Sequence, residues 1–163
     1  FREIAESYPK IGAQEAYIDA FTMWLVRDPE DLDVVVLPHM FGDIATDLAS
    51  VLQGGMGMAA SANLGDKHMM FEPVHGSSPK HAGKNRVNPI AMLSSLQLML
   101  ENLSLRHDDP LLDKYGNILQ QAISQHLSSD GPKTYDIGGT GTTSEVGDAI
   151  ADRVRRLLSN DNA

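Results

Sequence analysis

The sequence predicts an α/β fold, and three observations carry that reading. Leu32 to Leu37 (Leu-Asp-Val-Val-Val-Leu) is a short apolar run with a β-branched centre, bounded by Asp28-Pro29-Glu30-Asp31 and by Pro38. Such a run reads as a strand buried on both faces, as in a parallel sheet. Later segments repeat apolar residues at helical spacing, and glycine-rich loops separate them. Strands alternating with helices, with most of one covering helical layer present, define the class.

Taken in order, Phe1 to about Tyr8 reads as the end of a helix closed by Pro9, because the residue before proline disfavours the helical region. Ile11 to Val26 mixes β-branched and aromatic residues with polar ones and predicts a strand followed by a helix. Between His39 and Gln53, Ile44, Leu48, Val51 and Leu52 recur at helical spacing, with Asp43 and Asp47 on the neighbouring stripe. Gly54-Gly55-Met56-Gly57-Met58 is too glycine-rich for a helix, and the small residues Ala59 to Ala62 let backbone approach something closely. Met69-Met70-Phe71 is a short strand that delivers the loop Glu72 to Lys84. Asn88-Pro89 opens an apolar helix in which Ile90, Leu93, Leu96, Leu100 and Leu103 are spaced for burial. Tyr115 to Leu127 is a second, amphipathic helix. After the loop Asp136 to Gly141, Thr142 and Glu145 form a capping box for a last helix that buries Val146, Ile150, Val154, Leu157 and Leu158 and frays over Ser159 to Ala163.

At 163 residues the chain can enclose one sizeable core. With 22 acidic against 13 basic residues it is a poor match for a nucleic-acid backbone or an anionic membrane, so an anionic ligand must be held by local groups. The absence of cysteine excludes disulfides and thiolate metal sites and suits a reducing cytoplasm, the expected compartment. No apolar run reaches spanning length. Opening on Phe1-Arg2-Glu3-Ile4-Ala5, in mid-pattern, the chain reads as the later part of a longer polypeptide.

Two constellations carry chemistry. Asp43 and Asp47 sit four residues apart, so a helix stacks both carboxylates on one face, where they repel unless a cation lies between them. By itself such a pair is more often a solvated helix face. In the second, the amides of Gly76 to Ser78 can point at phosphate oxygens, while Lys80, His81 and Lys84 bring positive charge to an acidic chain. By itself this is either a nucleotide cradle or an ordinary polar loop, and neither the P-loop pattern nor the Rossmann fingerprint is present.

In order, the acidic pair, Gly54-Gly55-Met56-Gly57, Glu72-Pro73-Val74-His75-Gly76-Ser77, Ala82-Gly83-Lys84 and Asn88-Pro89 resemble the isocitrate and isopropylmalate dehydrogenase family of β-decarboxylating dehydrogenases. Tyr17-Ile18-Asp19-Ala20 and Thr142-Thr143-Ser144-Glu145 extend the resemblance over nearly the whole chain. It implies an α/β fold with a mixed sheet flanked by helices, present as a C-terminal part. Residues 1–30 would be the tail of the dimerisation and substrate domain, and residues 31–163 the C-terminal part of the cofactor-binding domain.

The resemblance also implies a Mg²⁺ or Mn²⁺ site in which Asp43 and Asp47 come from one protomer and Asp19 from its partner in a homodimer with a shared active site. Hard oxygen donors suit those ions. His75, Gly76, Ser77, Ser78, Pro79, Lys80 and His81 would wrap the phosphates and ribose of NADP or NAD, Asn88 would meet the adenine, and Glu72 would lie near the nicotinamide. NAD-using isopropylmalate enzymes carry an aspartate at the place of Lys80, and lysine can pair with a 2′-phosphate where aspartate accepts from ribose hydroxyls. Lys80 with His81, Val87 and Tyr135 is similar to the NADP-using isocitrate enzymes and favours NADP, although Gly139 stands where those enzymes have a further arginine. The implied substrate is a malate-type 2-hydroxy acid, 3-isopropylmalate or isocitrate. Phe41-Gly42-Asp43-Ile44 is similar to isopropylmalate and tartrate relatives, and Gly54 to Asn63 with Gly65-Asp66 to isocitrate and homoisocitrate relatives. The catalytic tyrosine and lysine of the family are expected upstream of this chain, so the chain alone should not catalyse. The alternatives are a stand-alone nucleotide-binding module of the same fold or a noncatalytic regulatory subunit.

Overall fold

Helix-capping chemistry decides much of the architecture seen in a computed structural model of the chain, which describes residues 1–161. Helix α1 (Arg2–Ala5) is short, and the amides of Ser7 and Tyr8 turn back to Ile4 and Ala5 before Pro9. Helix α2 (Ile18–Arg27) is followed by a 3₁₀ turn at Pro29–Asp31, and α3 spans His39–Leu52. Strands β1 (Ala60–Leu64) and β2 (Met69–Pro73) pair antiparallel, Ala60 opposite Pro73 and Leu64 opposite Met69. Three long helices follow: α4 (Ile90–His107), α5 (Pro110–Leu127) and α6 (Thr143–Asp161).

The chain divides into two compact units, Phe1–Ala49 and Ser50–Ala163. In the first, Phe21 and Leu25 of α2 and Ala45 of α3 are buried, with Ile18, Leu32, Leu37 and Leu48 packed around them. In the second, Ile90 of α4, Leu119, Ala122 and Ile123 of α5, and Val146 and Ile150 of α6 form the core. There α4 packs on both strands and on α5, and α5 packs on α6.

The α4–α5 corner shows how sequence dictates a turn. Asp108 takes a left-handed conformation (φ 50°) at the end of α4, Asp109 accepts from the Leu111 amide at 2.9 Å, and Pro110 supplies the preset φ of a first helical position. At the start of α6 the expected capping box is formed in both directions. Glu145 Oε2 accepts from the Thr142 amide at 2.8 Å, and Thr142 Oγ1 accepts from the Glu145 amide at 3.2 Å.

The α/β class stands, but within the described residues the sheet is one two-stranded antiparallel pair. Leu32 to Leu37 forms no ladder, which corrects the buried parallel strand. Its backbone has no neighbouring strand to bond, and Val34 and Val36 are 82% and 73% exposed. The strand expected within Ile11 to Val26 is likewise absent. Residues 11–17 are irregular, with Ile11 and Tyr17 exposed, and only the helix forms. Ala60 to Ala62, read as a close-approach run, belong to β1, because the hairpin closed by the Gly65 amide on the His68 carbonyl (3.0 Å) brings β2 alongside. Leu96 is 40% exposed rather than buried, since α4 is apolar on more faces than its neighbours cover. Helix α6 continues through Ser159 to Asp161, and the remainder of the expected fraying, Asn162 and Ala163, lies outside the described residues.

Candidate functional site

The second unit places the nucleotide-loop candidates between β2 and α4. Pro73 is buried at the end of β2, and the Val74 amide donates to the Ala59 carbonyl at 3.1 Å, which fixes where the loop departs. Glu72, just before it, is exposed. His75 is half-buried with Nδ1 2.8 Å from the Gly76 carbonyl oxygen. Ser78 adopts φ 47°, which turns the chain into a 3₁₀ turn at Pro79–His81, and Asn85 is also left-handed at φ 49°. Gly76, Ser77, Ser78, Pro79 and Lys80 are all exposed. Among the described residues the amides of Gly76, Ser77 and Ser78 donate to no protein acceptor, so successive N–H groups are left for an external one.

Two cross-links hold the end of this loop against the 3₁₀ turn Tyr135–Ile137. Asn88 is buried; its Nδ2 donates to Asp136 Oδ2 at 3.0 Å while its Oδ1 accepts from the Ile90 amide at 3.0 Å, opening α4. The guanidinium of Arg86 lies 4.2 Å from the centre of the Tyr135 ring, and the His81 ring lies 5.9 Å from it. Val87 is exposed, and its carbonyl accepts from Thr143 Oγ1 at 2.6 Å. Gly57 is pressed onto the first cross-link: a Cβ there would stand 2.7 Å from Asp136 Oδ2 and 3.1 Å from Asn88 Cβ. Asn88, His81 and Tyr135 thus share one neighbourhood, with Asp136 and Arg86 as partners that no local sequence pattern announces.

Several observations bear on whether a nicotinamide nucleotide fits. The loop offers free amides and the exposed cations Lys80, Lys84 and Arg86, while His81 Nδ1 is shut from solvent without a hydrogen-bond partner. Anionic oxygens are the ligand chemistry that such donors match.

The first unit carries the acidic residues. Asp43 is exposed in the first turns of α3, with Oδ2 3.4 Å from His39 Nε2, and Asp47 follows one turn later. Asp19 opens α2, where its Oδ1 accepts from the Ala20 amide at 2.9 Å. Among the described residues no three histidine, aspartate or glutamate side chains gather to hold a metal. Asp43 and Asp47 share one helix and could supply hard oxygen donors to a divalent ion, and Asp19 does not join them within one chain.

A buried histidine outside these constellations was not anticipated. His126, at the end of α5, is fully buried with neither ring nitrogen hydrogen-bonded, and burial pushes its pKa below the ordinary value of 6.5. The charges of Arg153 and Lys133 push it the same way; the Pro132 carbonyl opposes them without reaching hydrogen-bond geometry. Its place on the buried stripe of α5, three residues after Ile123, was the available signal.

Comparison with known proteins gives a consistent result. The profile described as isocitrate/isopropylmalate dehydrogenase matches residues 1–150. A 3-isopropylmalate/3-methylmalate dehydrogenase of Methanocaldococcus jannaschii is 42% identical over 155 residues, 95% of this chain and 44% of that protein. A mitochondrial protein of Dictyostelium discoideum, named as a regulatory subunit of NAD isocitrate dehydrogenase, is 38% identical over 97% of this chain and 43% of its own length. The crystal structure of isocitrate dehydrogenase from Methylococcus capsulatus superimposes with a TM-score of 0.86 at 36% identity, covering 94% of this chain and 44% of that one. The chain therefore spans under half the length of these relatives, yet nearly all of it is matched. With the loop, the acidic pair and the capped last helix in their expected order, it belongs to the isocitrate/isopropylmalate dehydrogenase family.

Proposed function

We propose that this chain is the C-terminal part of a metal-dependent, NAD(P)-linked enzyme that oxidises a malate-type 2-hydroxy acid, 3-isopropylmalate or isocitrate, and decarboxylates the product. The observation that carries the reading is the 72–88 loop, which collects free amides and cationic side chains in a protein of net charge −9. Residues 1–30 are assigned to the dimerisation and substrate domain and residues 31–163 to the cofactor-binding domain. The cysteine-free composition suits the cytoplasm, where we place the enzyme.

In this reading the amides of Gly76 to Ser78 receive the cofactor's phosphates, with Lys80 and His81 at the ribose side and Asn88 at the adenine. NADP is favoured over NAD because Lys80 can donate to a 2′-phosphate and cannot accept from ribose hydroxyls. Glu72 borders the nicotinamide end. Asp43 and Asp47, with Asp19 from the second protomer of a homodimer, hold Mg²⁺ or Mn²⁺. When bound, such an ion would supply Lewis acidity at the substrate's hydroxyl, and the nicotinamide would be the hydride acceptor. The groups that move the substrate's protons are assigned to sequence upstream of Phe1.

A second reading, a noncatalytic regulatory subunit, is favoured by the match to the Dictyostelium discoideum protein so named. The test is to assay the protein at its full encoded length against isocitrate, 3-isopropylmalate, homoisocitrate and tartrate, with NADP or NAD and with Mg²⁺ or chelator. Metal-dependent turnover of one acid supports the enzyme. Nucleotide binding without turnover of any of them favours the regulatory subunit or a stand-alone nucleotide module, and no binding of either nucleotide sinks the cofactor assignment.

A further inference from the structure

Resting on the cofactor reading above, we infer that Arg86 is the guanidinium that selects a 2′-phosphorylated adenine nucleotide. The position where an arginine would be looked for by resemblance, Gly139, has no room for one. A Cβ there would run into the carbonyl oxygen, the carbonyl carbon and the Cβ of Lys133, and most of those atoms are backbone that cannot give way cheaply. The backbone at Gly139 is also tied down, its amide donating to the Thr134 carbonyl at 2.9 Å. A cation for the 2′-phosphate must therefore come from elsewhere.

Arg86 meets the requirement from another strand of chain. It is exposed, and its guanidinium is stacked on Tyr135 at 4.2 Å. Among the described residues it pairs with no carboxylate and donates no hydrogen bond, so the ring orders the group without using its N–H donors. An arginine held over a ring and left unpaired in an acidic protein is preorganised for a bidentate anion, because the contact with Tyr135 already restricts the side chain before binding. Two residues further on, Asn88 is fixed by Asp136, the neighbour of Tyr135. The cation and Asn88 thus sit on the same pair of cross-linked segments, and the ring of the half-buried His81 lies 5.9 Å from that of Tyr135. Lys80 contributes charge as a point cation; Arg86 contributes direction.

The test is titration calorimetry on the protein at its full encoded length, with adenosine 2′,5′-bisphosphate and adenosine 5′-monophosphate as probes. Wild type should bind the bisphosphate more tightly. Arg86→Gln should weaken the bisphosphate by about tenfold or more and change the monophosphate by less than about twofold, while Arg86→Lys recovers part of the loss. If wild type prefers the bisphosphate and Arg86→Gln leaves that preference intact, Arg86 is not the selector and the cofactor reading survives. Equal weakening of both probes overturns the assignment as well, placing Arg86 at the shared part of the ligand. If wild type binds both probes equally, the 2′-phosphate preference and this role of Arg86 fall together and the nucleotide site stands. Binding of neither probe removes the cofactor reading itself.

Discussion

Asn88 and Asp136, 48 residues apart in sequence, are joined by a 3.0 Å hydrogen bond that ties the start of α4 to the turn after α5. Asn88 also supplies the acceptor for the Ile90 amide, so one side chain caps a helix and closes a long-range contact.

Replacing Asn88 should therefore cost more than an ordinary cap. Asn88→Ala is expected to lose about 1–2 kcal/mol of stability, read as a lower denaturation midpoint in urea. Asn88→Asp keeps the acceptor for Ile90 but sets two carboxylates together. It should be destabilised at neutral pH and recover on acidification; a variant insensitive to pH would show that the Asp136 contact contributes nothing.

Gly57→Ala should strain the same junction. The added methyl falls 2.7 Å from Asp136 Oδ2 and 3.1 Å from Asn88 Cβ, so the cross-link must shift, at a cost of about 1–3 kcal/mol. A melting temperature equal to wild type would mean that the turn relaxes freely.

Acidification should weaken the second unit through His126. Its folded pKa lies below 6.5, so the unfolded chain takes up a proton that the folded chain refuses. That contribution to stability is complete above about pH 6.5 and is lost as pH falls through 6.5 toward the lower folded value. Urea midpoints measured across this window should fall in wild type and fall less steeply in His126→Phe. Identical slopes would clear the ring of responsibility.

The last helix should depend on its box. Thr142→Ala is expected to lower stability by about 1 kcal/mol, read as a lower urea midpoint. Glu145 titrates below its usual value because the Thr142 amide, and then the Thr142 hydroxyl, donate to its carboxylate. Its contribution is present above pH 4.5 and disappears as pH falls through the lower folded pKa, so an acid transition unchanged by Glu145→Gln would contradict the assignment.

If the proposed cofactor site is right, Lys80→Asp should shift binding from NADP toward NAD, since a carboxylate repels a 2′-phosphate and accepts from ribose hydroxyls. The ratio of the two dissociation constants decides it, and an unchanged ratio removes Lys80 from selection.

The helices were legible because their signals are local. The periodicity at Ile118, Leu119, Ala122 and Ile123 and the Thr142–Glu145 box need no knowledge of the rest of the chain. The run Leu32 to Leu37 was misread because a strand exists only when neighbouring backbone accepts its hydrogen bonds, and no local pattern reports that. Lys80, His81, Asn88 and Tyr135 were visible as residues with the right chemistry. The stacking of Arg86 on Tyr135 was not, because it depends on where the turn at Tyr135–Ile137 comes to rest. Asn85 escaped for a similar reason: it receives the amide and hydroxyl of Ser144 at 3.1 and 3.0 Å, serving a helix that begins far along the chain.

The valine run has a consequence for the life of the chain in a crowded cell. Leu32 and Leu37 are anchored in a small core while Val34, Val35 and Val36 between them stand in solvent. A tethered, β-branched stretch with free backbone donors and acceptors is a template on which a sister chain can lay down the missing ladder. Yield of the chain expressed by itself should fall as its concentration rises, and chaperones that cradle extended apolar segments should find their grip at these valines.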